Sequence, residues 1–292
     1  MSIKPAHALC VMLIFLPLVL LWYSTSKHPG TTIKLWSGNK TLVHQVYERE
    51  VLEAVLAATV KGYGDIPLLV DTTGVADEAA IFRTGDFDVF GTGAGNPKLA
   101  AEEKTIIPHP LMKGLLGYRI LIVRAAERGK FAAMTSADAL QQQRLGIPAG
   151  GIDAELFRHN GFKAVEAGSI NDLFTRQTEK AFDYTALGVS EIGEVFTQKA
   201  APGGGLVQDE TLLIYYPFPL VFYVNPNNPE LALRINQGMQ VIARTGELDQ
   251  IFERHFGALV DGLGLKQRRL IRLDNPFLPA ELSGFESTLL AD

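Results

Sequence analysis

Cysteine is almost absent from this chain of 292 residues: Cys10 is the single one. Everything beyond it is therefore without thiol chemistry and without a disulfide framework. Basic excess is missing too, with 27 Lys and Arg against 32 Asp and Glu, a formal net charge of -5. A chain built to bind nucleic acid normally carries a basic patch or stripe, so nucleic acid is not an expected partner. Metal-ligand spacing is also lacking. The histidines at 28, 44, 109, 159 and 255 form no H-E-x-x-H or other ligand pattern, so no metal site is assigned. Gly188-Val189-Ser190-Glu191-Ile192-Gly193 is one residue too long for a G-x-S-x-G nucleophile elbow, and no histidine is placed to complete a triad. Gly91-Thr92-Gly93-Ala94-Gly95 is broken by Asn96 as a dinucleotide fingerprint, and no P-loop Lys-Ser/Thr follows. No cofactor and no catalytic residue is assigned on these grounds.

What is present is a globular composition, 47% hydrophobic and 20% charged, long enough for one large or two ordinary domains. The first 26 residues read differently. Lys4 precedes an apolar run from Ala8 to Tyr23, and Ser24-Thr25-Ser26 follow it. That order describes a secretory signal, and the run falls short of the roughly 20 apolar residues of a membrane span. A clean Ala-x-Ala cleavage site is missing, which keeps an uncleaved N-terminal anchor as the alternative. Residues 1–26 are thus expected to direct export to the periplasm, as a signal peptide or an inner-membrane anchor.

The rest alternates between extended and helical patterns. Strands are predicted at Thr31–Trp36, Pro67–Val70 and Phe87–Phe90, with helices at 42–60 and Ala76–Arg83 between them. After an extended segment at Tyr118–Val123 the alternation restarts. Strands at Arg144–Pro148, Lys163–Glu166 and Phe182–Leu187 alternate with helices opened by Thr135-x-x-Asp138 and Ser169-x-x-Asp172. Alternation of this kind implies right-handed crossovers and a mainly parallel sheet in each half. Ile81-Phe82-Arg83 before Phe87-Asp88-Val89 is echoed by Leu173-Phe174-Thr175-Arg176 before Phe182-Asp183-Tyr184, which favours two similar lobes. Tyr215–Val224 carries two prolines, so it reads as a crossing strand, and two helical patterns follow it up to Gly257. The expected division is lobe one at 27–117 plus 220–292, lobe two at 121–214, and hinge segments near 118–120 and 215–219. Residues 258–292 are expected to wrap lobe one as an irregular extension, with Lys266, Arg268, Arg269 and Arg272 on a solvated face.

Several of these stretches, taken in order, resemble the bacterial extracellular solute-binding proteins of family 3. They are Gly85-Asp86-Phe87-Asp88-Val89, the segment Leu115–Arg124, Arg144-Leu145-Gly146-Ile147 with Gly150-Gly151, and above all Asn225–Gly257 with its Thr-Gly-Glu-Leu break and Phe256-Gly257 ending. The resemblance implies an α/β, periplasmic-binding-protein-like fold: two Rossmann-like lobes joined by two hinge strands. It further implies a ligand in the interlobe cleft and delivery to the membrane permease of an ABC importer. The charged anchors of the family's amino-acid binders are displaced here. Ser37-Gly38 stands at the first acid position, Pro97-Lys98-Leu99 in the arginine neighbourhood, and Gly188 at the second-lobe acid position.

The expectation is a monomeric, non-enzymatic binder of a small polar solute. A sensory module of the same fold is the alternative, and a periplasmic enzyme relying on acids such as Asp183 the more distant one. Candidate ligand-binding residues are Ser37, at the end of the first strand; Thr92 and Gly93, in a glycine-rich turn; Arg119, in the first crossing segment; and Asp183 and Tyr184, in the second-lobe strand. Gly150 and Gly151 complete the set, since free amides before a helix can hold an anion. Each has a plain alternative: a helix cap for Ser37, a solvated hinge residue for Arg119, a structural hydrogen bond for Asp183, and a turn capped by Asp153 for the glycine pair.

Overall fold

The computed structural model describes residues 32–151 and 153–290, so the expectation for residues 1–26 lies outside the described residues. Among the described residues no helix is long and apolar enough to cross a membrane. In chain order the strands are β1 (Ile33–Trp36), β2 (Leu68–Asp71), β3 (Val89–Gly93), β4 (Thr105–Ile107), β5 (Tyr118–Arg124) and β6 (Arg144–Ile147). They continue as β7 (Lys163–Glu166), β8 (Tyr184–Gly188), β9 (Leu206–Gln208), β10 (Leu212–Tyr215), β11 (Leu220–Val224) and β12 (Arg269–Arg272). They build two sheets, ordered β2-β1-β3-β11-β4 and β12-β10-β5-β8-β6-β7, with β9 added beside β5. In the first sheet β1 is parallel to β2 and β3, while β11 returns antiparallel to β3 and β4. In the second, β6 is parallel to β7 and β8, and β5 runs antiparallel to β8 and β10. The fold is α/β, as the alternating patterns require, but each sheet is mixed rather than mainly parallel, because β11, β5 and β9 return antiparallel.

Two long helices, Leu42–Ala58 and Pro229–Thr245, supply the main core of the first sheet. Tyr47, Val51, Leu52 and Val55 of one and Leu231, Ile235, Met239 and Ile242 of the other are buried together. Gly238 sets how closely they approach, since a Cβ there would lie 2.6 Å from Val55. The buried Arg234 donates to the Leu56 and Gly64 carbonyls and to Thr59 Oγ1, so the carboxyl end of the first helix is closed by the second. Ser169 and Asp172 form the expected capping box, whereas Ser136, not Thr135, caps the helix before β6.

Four further expectations need correction. Residues 76–83 contain only a single turn of 3-10 helix, Glu78–Ala80, because the segment is pinned by Asn39 contacts to Val75 and Glu78. Gly91-Thr92-Gly93 is not a turn but the end of β3, paired residue by residue with Leu220–Phe222. Tyr118–Ile120 lies within β5, already paired on both sides, so the chain crosses between the sheets just upstream, at Gly114–Gly117. The fourth concerns the tail. Arg269–Arg272 pairs parallel with Leu212–Tyr215 as the edge strand of the second sheet, with Ile271 turned inward. Arg268 donates to the Asp209 and Leu212 carbonyls, whereas Arg269 and Arg272 stay exposed as expected, Arg272 lying over the Tyr215 ring.

From β12 the tail returns to the first sheet. Asn275 Nδ2 donates to the Pro217 carbonyl at 2.8 Å, and Leu278, Leu282 and Phe285 join Trp36, Phe90 and Tyr223. Ser287 then bonds both Tyr215 Oη and the Lys113 carbonyl. The tail therefore adds a third connection beside the two crossing segments.

His44, on the first long helix, packs edge-on against Phe256, and burial followed by the nearby Lys40 charge lowers its pKa from 6.5 to about 4. Between those two values the unfolded chain binds more protons than the folded one, so stability falls as pH drops through that window. The loss is up to about 3 kcal/mol. Urea melts from neutral to acidic pH are expected to show a shallower decline for His44→Gln than for the natural chain. Parallel declines would remove His44 as the cause.

Candidate functional site

Carboxyl ends of parallel strands are where open α/β sheets hold ligands. In the first sheet these ends are Trp36, Asp71 and Gly93; in the second they are Ile147, Glu166 and Gly188. Strand register puts Gly93 opposite Leu220, the first residue of β11, and Gly188 opposite Arg119 near the start of β5. Of these ends, Gly93 and Gly188 therefore lie beside the crossing segments Gly114–Gly117 and Tyr216–Pro219, whereas Asp71 belongs to the edge strand β2. The crossing chains are tightly apposed. A Cβ on Gly117 would lie 2.2 Å from the Tyr216 carbonyl, and one on Gly93 would lie 2.2 Å from the Phe218 ring.

On the second-sheet side a polar cluster surrounds Arg119. Its guanidinium is nearly buried and forms a bidentate pair with Asp153, Nε to Oδ2 at 2.9 Å and Nη2 to Oδ1 at 3.2 Å. Nη1 donates to the Leu116 and Tyr118 carbonyls, and the plane stacks 4.9 Å from the centre of the Tyr216 ring. Burial works against the Arg119 charge, but Asp153, Tyr216 and Glu191 outweigh it and raise the pKa. Glu191 Oε1 accepts from the Gly188 amide at 3.1 Å. As a residue Glu191 is exposed, although protein crowds its carboxyl group. This crowding raises the carboxyl pKa against the pull of Arg119. Burial drives the Tyr216 phenol well above its ordinary range. The cluster offers one accessible carboxylate, a hydrogen-bonded strand end and an aromatic wall.

On the first-sheet side Ser37 is fully buried and its hydroxyl lies 3.4 Å from Glu48 Oε2. Lys40 Nζ sits 2.5 Å from that same oxygen and 2.6 Å from the Gly91 carbonyl. Glu48 comes from the apolar stripe of the first long helix, and burial raises its pKa. A charged residue on that stripe, beside Tyr47 and one turn before Val51 and Leu52, was the signal in sequence that could have singled it out.

The eight candidate residues do not converge. Arg119 belongs to the polar cluster, and Gly93 lies at the joint beneath Phe218. Thr92 is paired with Val221 inside the sheet. The Gly150 amide is taken by Glu166 Oε2 at 3.0 Å and the Gly151 amide by the Pro148 carbonyl, so the glycine turn is closed upon itself. Asp183 and Tyr184 lie at the opposite end of β8. Asp183 accepts from Arg144 and Arg124, and the Arg144 bonds hold its pKa low despite burial. Tyr184 is a core residue against Phe131. Asp153, Glu191, Lys40 and Glu48 are the residues sequence reasoning missed as site groups; their partners lie far along the chain or across a turn. A surface groove lined by Lys34, Leu69, Asp71, Asp86 and Phe87 runs along the outer edge at β2, away from the joint.

No protein-family model matches the chain, and no curated protein matches it in sequence. Solved structures do match in shape. A histidine kinase sensor domain with similarity to periplasmic binding proteins is 16% identical, with a TM-score of 0.53 over 77% of this chain and 96% of that one. The fold is that of the periplasmic binding proteins. A Salmonella typhimurium periplasmic binding protein with high arginine specificity is 14% identical, at a TM-score of 0.51 over 76% of this chain and 98% of its own. The Bordetella pertussis BvgS VFT2 domain is 13% identical, at 0.54 over 76% and 92%. At such identities the likeness is one of periplasmic-binding-protein architecture, not of ligand.

Removing Asp153 strands the Arg119 cation. Asp153→Asn is expected to cost about 2–3 kcal/mol in denaturant melts, less than a fully buried pair because the carboxylate is partly open to water. Arg119→Met combined with Asp153→Leu is expected to recover most of that loss. A double variant no better than the single one would deny the coupling.

Proposed function

We propose that this chain is an exported solute-binding module that captures a small polar solute between its two lobes by hinge closure. One observation carries the reading: Gly93 and Gly188, ending a strand of each sheet, flank a glycine-tight joint, and Glu191 stands accessible beside a self-neutralised Arg119–Asp153 pair. A ligand touching both sets of strand ends binds the closed form better than the open one and so shifts the population towards closure. With Arg119 already committed, no arginine of this cluster is free to clamp a carboxylate, and the accessible charge favours a solute with hydrogen-bond donors. Delivery to the permease of an ABC importer is the transport form of this reading.

A sensory role is the second reading, supported by the histidine kinase sensor domain among the structural neighbours. Retention of residues 1–26 in the mature protein would favour it, and cleavage after residue 26 would favour transport. The enzymatic reading leaned on Asp183, which two arginines hold at the far end of β8.

The test is a thermal-shift panel of amino acids, peptides, organic acids and polyamines. A cognate solute at a hundred times its Kd is expected to stabilise the protein by about 2.7 kcal/mol. Glu191→Gln is expected to weaken that solute about tenfold or more. A folded protein that shifts with no member of the panel would count against solute capture.

A further inference from the structure

Glu48 is fully buried, and its two oxygens differ. Oε2 faces Lys40 Nζ and the Ser37 hydroxyl, whereas Oε1 has no hydrogen-bond partner among the described residues. The carboxylate fits only because residue 91 is glycine, since a Cβ there would come within 2.7 Å of Oε2. Around Nζ stand a carboxylate oxygen, the Gly91 carbonyl and, 5.9 Å away, the centre of the Trp36 ring. An anion, a carbonyl and an aromatic face are the groups that recognise an ammonium carrying N–H donors.

Lys40 reaches this place from the short connection between β1 and the first long helix. Asn39, just before it, holds a left-handed backbone at φ 55°, and the lysine side chain is 15% exposed. The site therefore opens to the surface along the lysine stem. Withdrawing Lys40 alone would leave a buried carboxylate without its cation, a costly state. Exchanging one ammonium for another leaves the charge balance unchanged.

We propose that Glu48, the Gly91 carbonyl and the Trp36 ring form a binding site for a primary ammonium group, with Lys40 as its tethered occupant, displaceable by a free alkylammonium. This goes beyond solute capture at the joint, and it stands on a different set of residues. The site selects for N–H donors rather than for positive charge alone, because two of its three walls are hydrogen-bond acceptors.

Lys40→Ala vacates the site, and methylammonium is the probe. The variant is expected to melt lower than the natural protein and to be restabilised saturably by methylammonium, but not by tetramethylammonium at the same ionic strength. Adding Glu48→Gln is expected to weaken the methylammonium response about tenfold or more. Equal responses to both cations, or a response unchanged by Glu48→Gln, would overturn the proposal. A readout on the natural protein stands beside it should Lys40→Ala not fold. The 13Cε resonance of Lys40, assigned with Lys40→Arg, is expected to move towards the position of a free lysine on titration with butylammonium. It is expected to stay in place with tetramethylammonium. A Lys40 resonance indifferent to butylammonium would equally overturn the site.

Discussion

The structure depends on a contact made possible by missing side chains. Gly117 lets the first crossing chain rest on the Tyr216 carbonyl of the second, and Gly93 leaves the end of β3 open to the Phe218 ring. Larger residues at either place would force the crossing chains apart. With the two glycines in place, the register of β3 with β11 and of β5 with β8 brings Gly93 and Gly188 to the joint. The tail fastens the same joint from outside, through Asn275 to Pro217 and Ser287 to Tyr215 and Lys113. The joint is thus held by backbone apposition, aromatic rings and a returning tail.

Charge around the joint follows a second rule: each buried ion brings its own partner. Arg119 is neutralised by Asp153 and Lys40 by Glu48, both within hydrogen-bonding distance. Buried pairs of this kind are weak sources of net stability, but removing one member is expensive. Their placement matters more than their energy. The Arg119–Asp153 pair lies beside Gly188 at the end of β8, and the Lys40–Glu48 pair lies against Gly91 in β3.

Much of the fold was legible because its signals are local. Lys163–Glu166 is a strand by its own alternation, the Ser169 box caps its own helix, and the helices of 229–252 follow their apolar spacing. What stayed hidden was set by distant partners. Glycines 91 and 93 read as a turn, yet they belong to a strand because Glu48 and Phe218 fill the space that side chains would have taken. Arg269–Arg272 reads as part of an irregular extension, and its arginines are exposed as expected, but β10 offers an open edge more than fifty residues earlier. Asp183 invited a functional reading as an acid in a second-lobe strand. Only its pairing with Arg144 and Arg124 reveals which end of β8 it occupies. Arg119 was found by its position near the crossing, whereas Asp153 and Glu191 owe their roles to that arginine.

Hinge closure, as proposed, would bring the two faces of the joint towards each other around a solute. Spin labels on Thr72→Cys and Ala149→Cys, both exposed at strand ends of opposite sheets, report that approach directly once Cys10 is replaced by serine. Distance distributions from double electron–electron resonance are expected to shorten and narrow when the solute identified by thermal shift is added at saturation. A distribution that stays unchanged at full occupancy would contradict hinge closure and leave two sheets joined by a rigid seam.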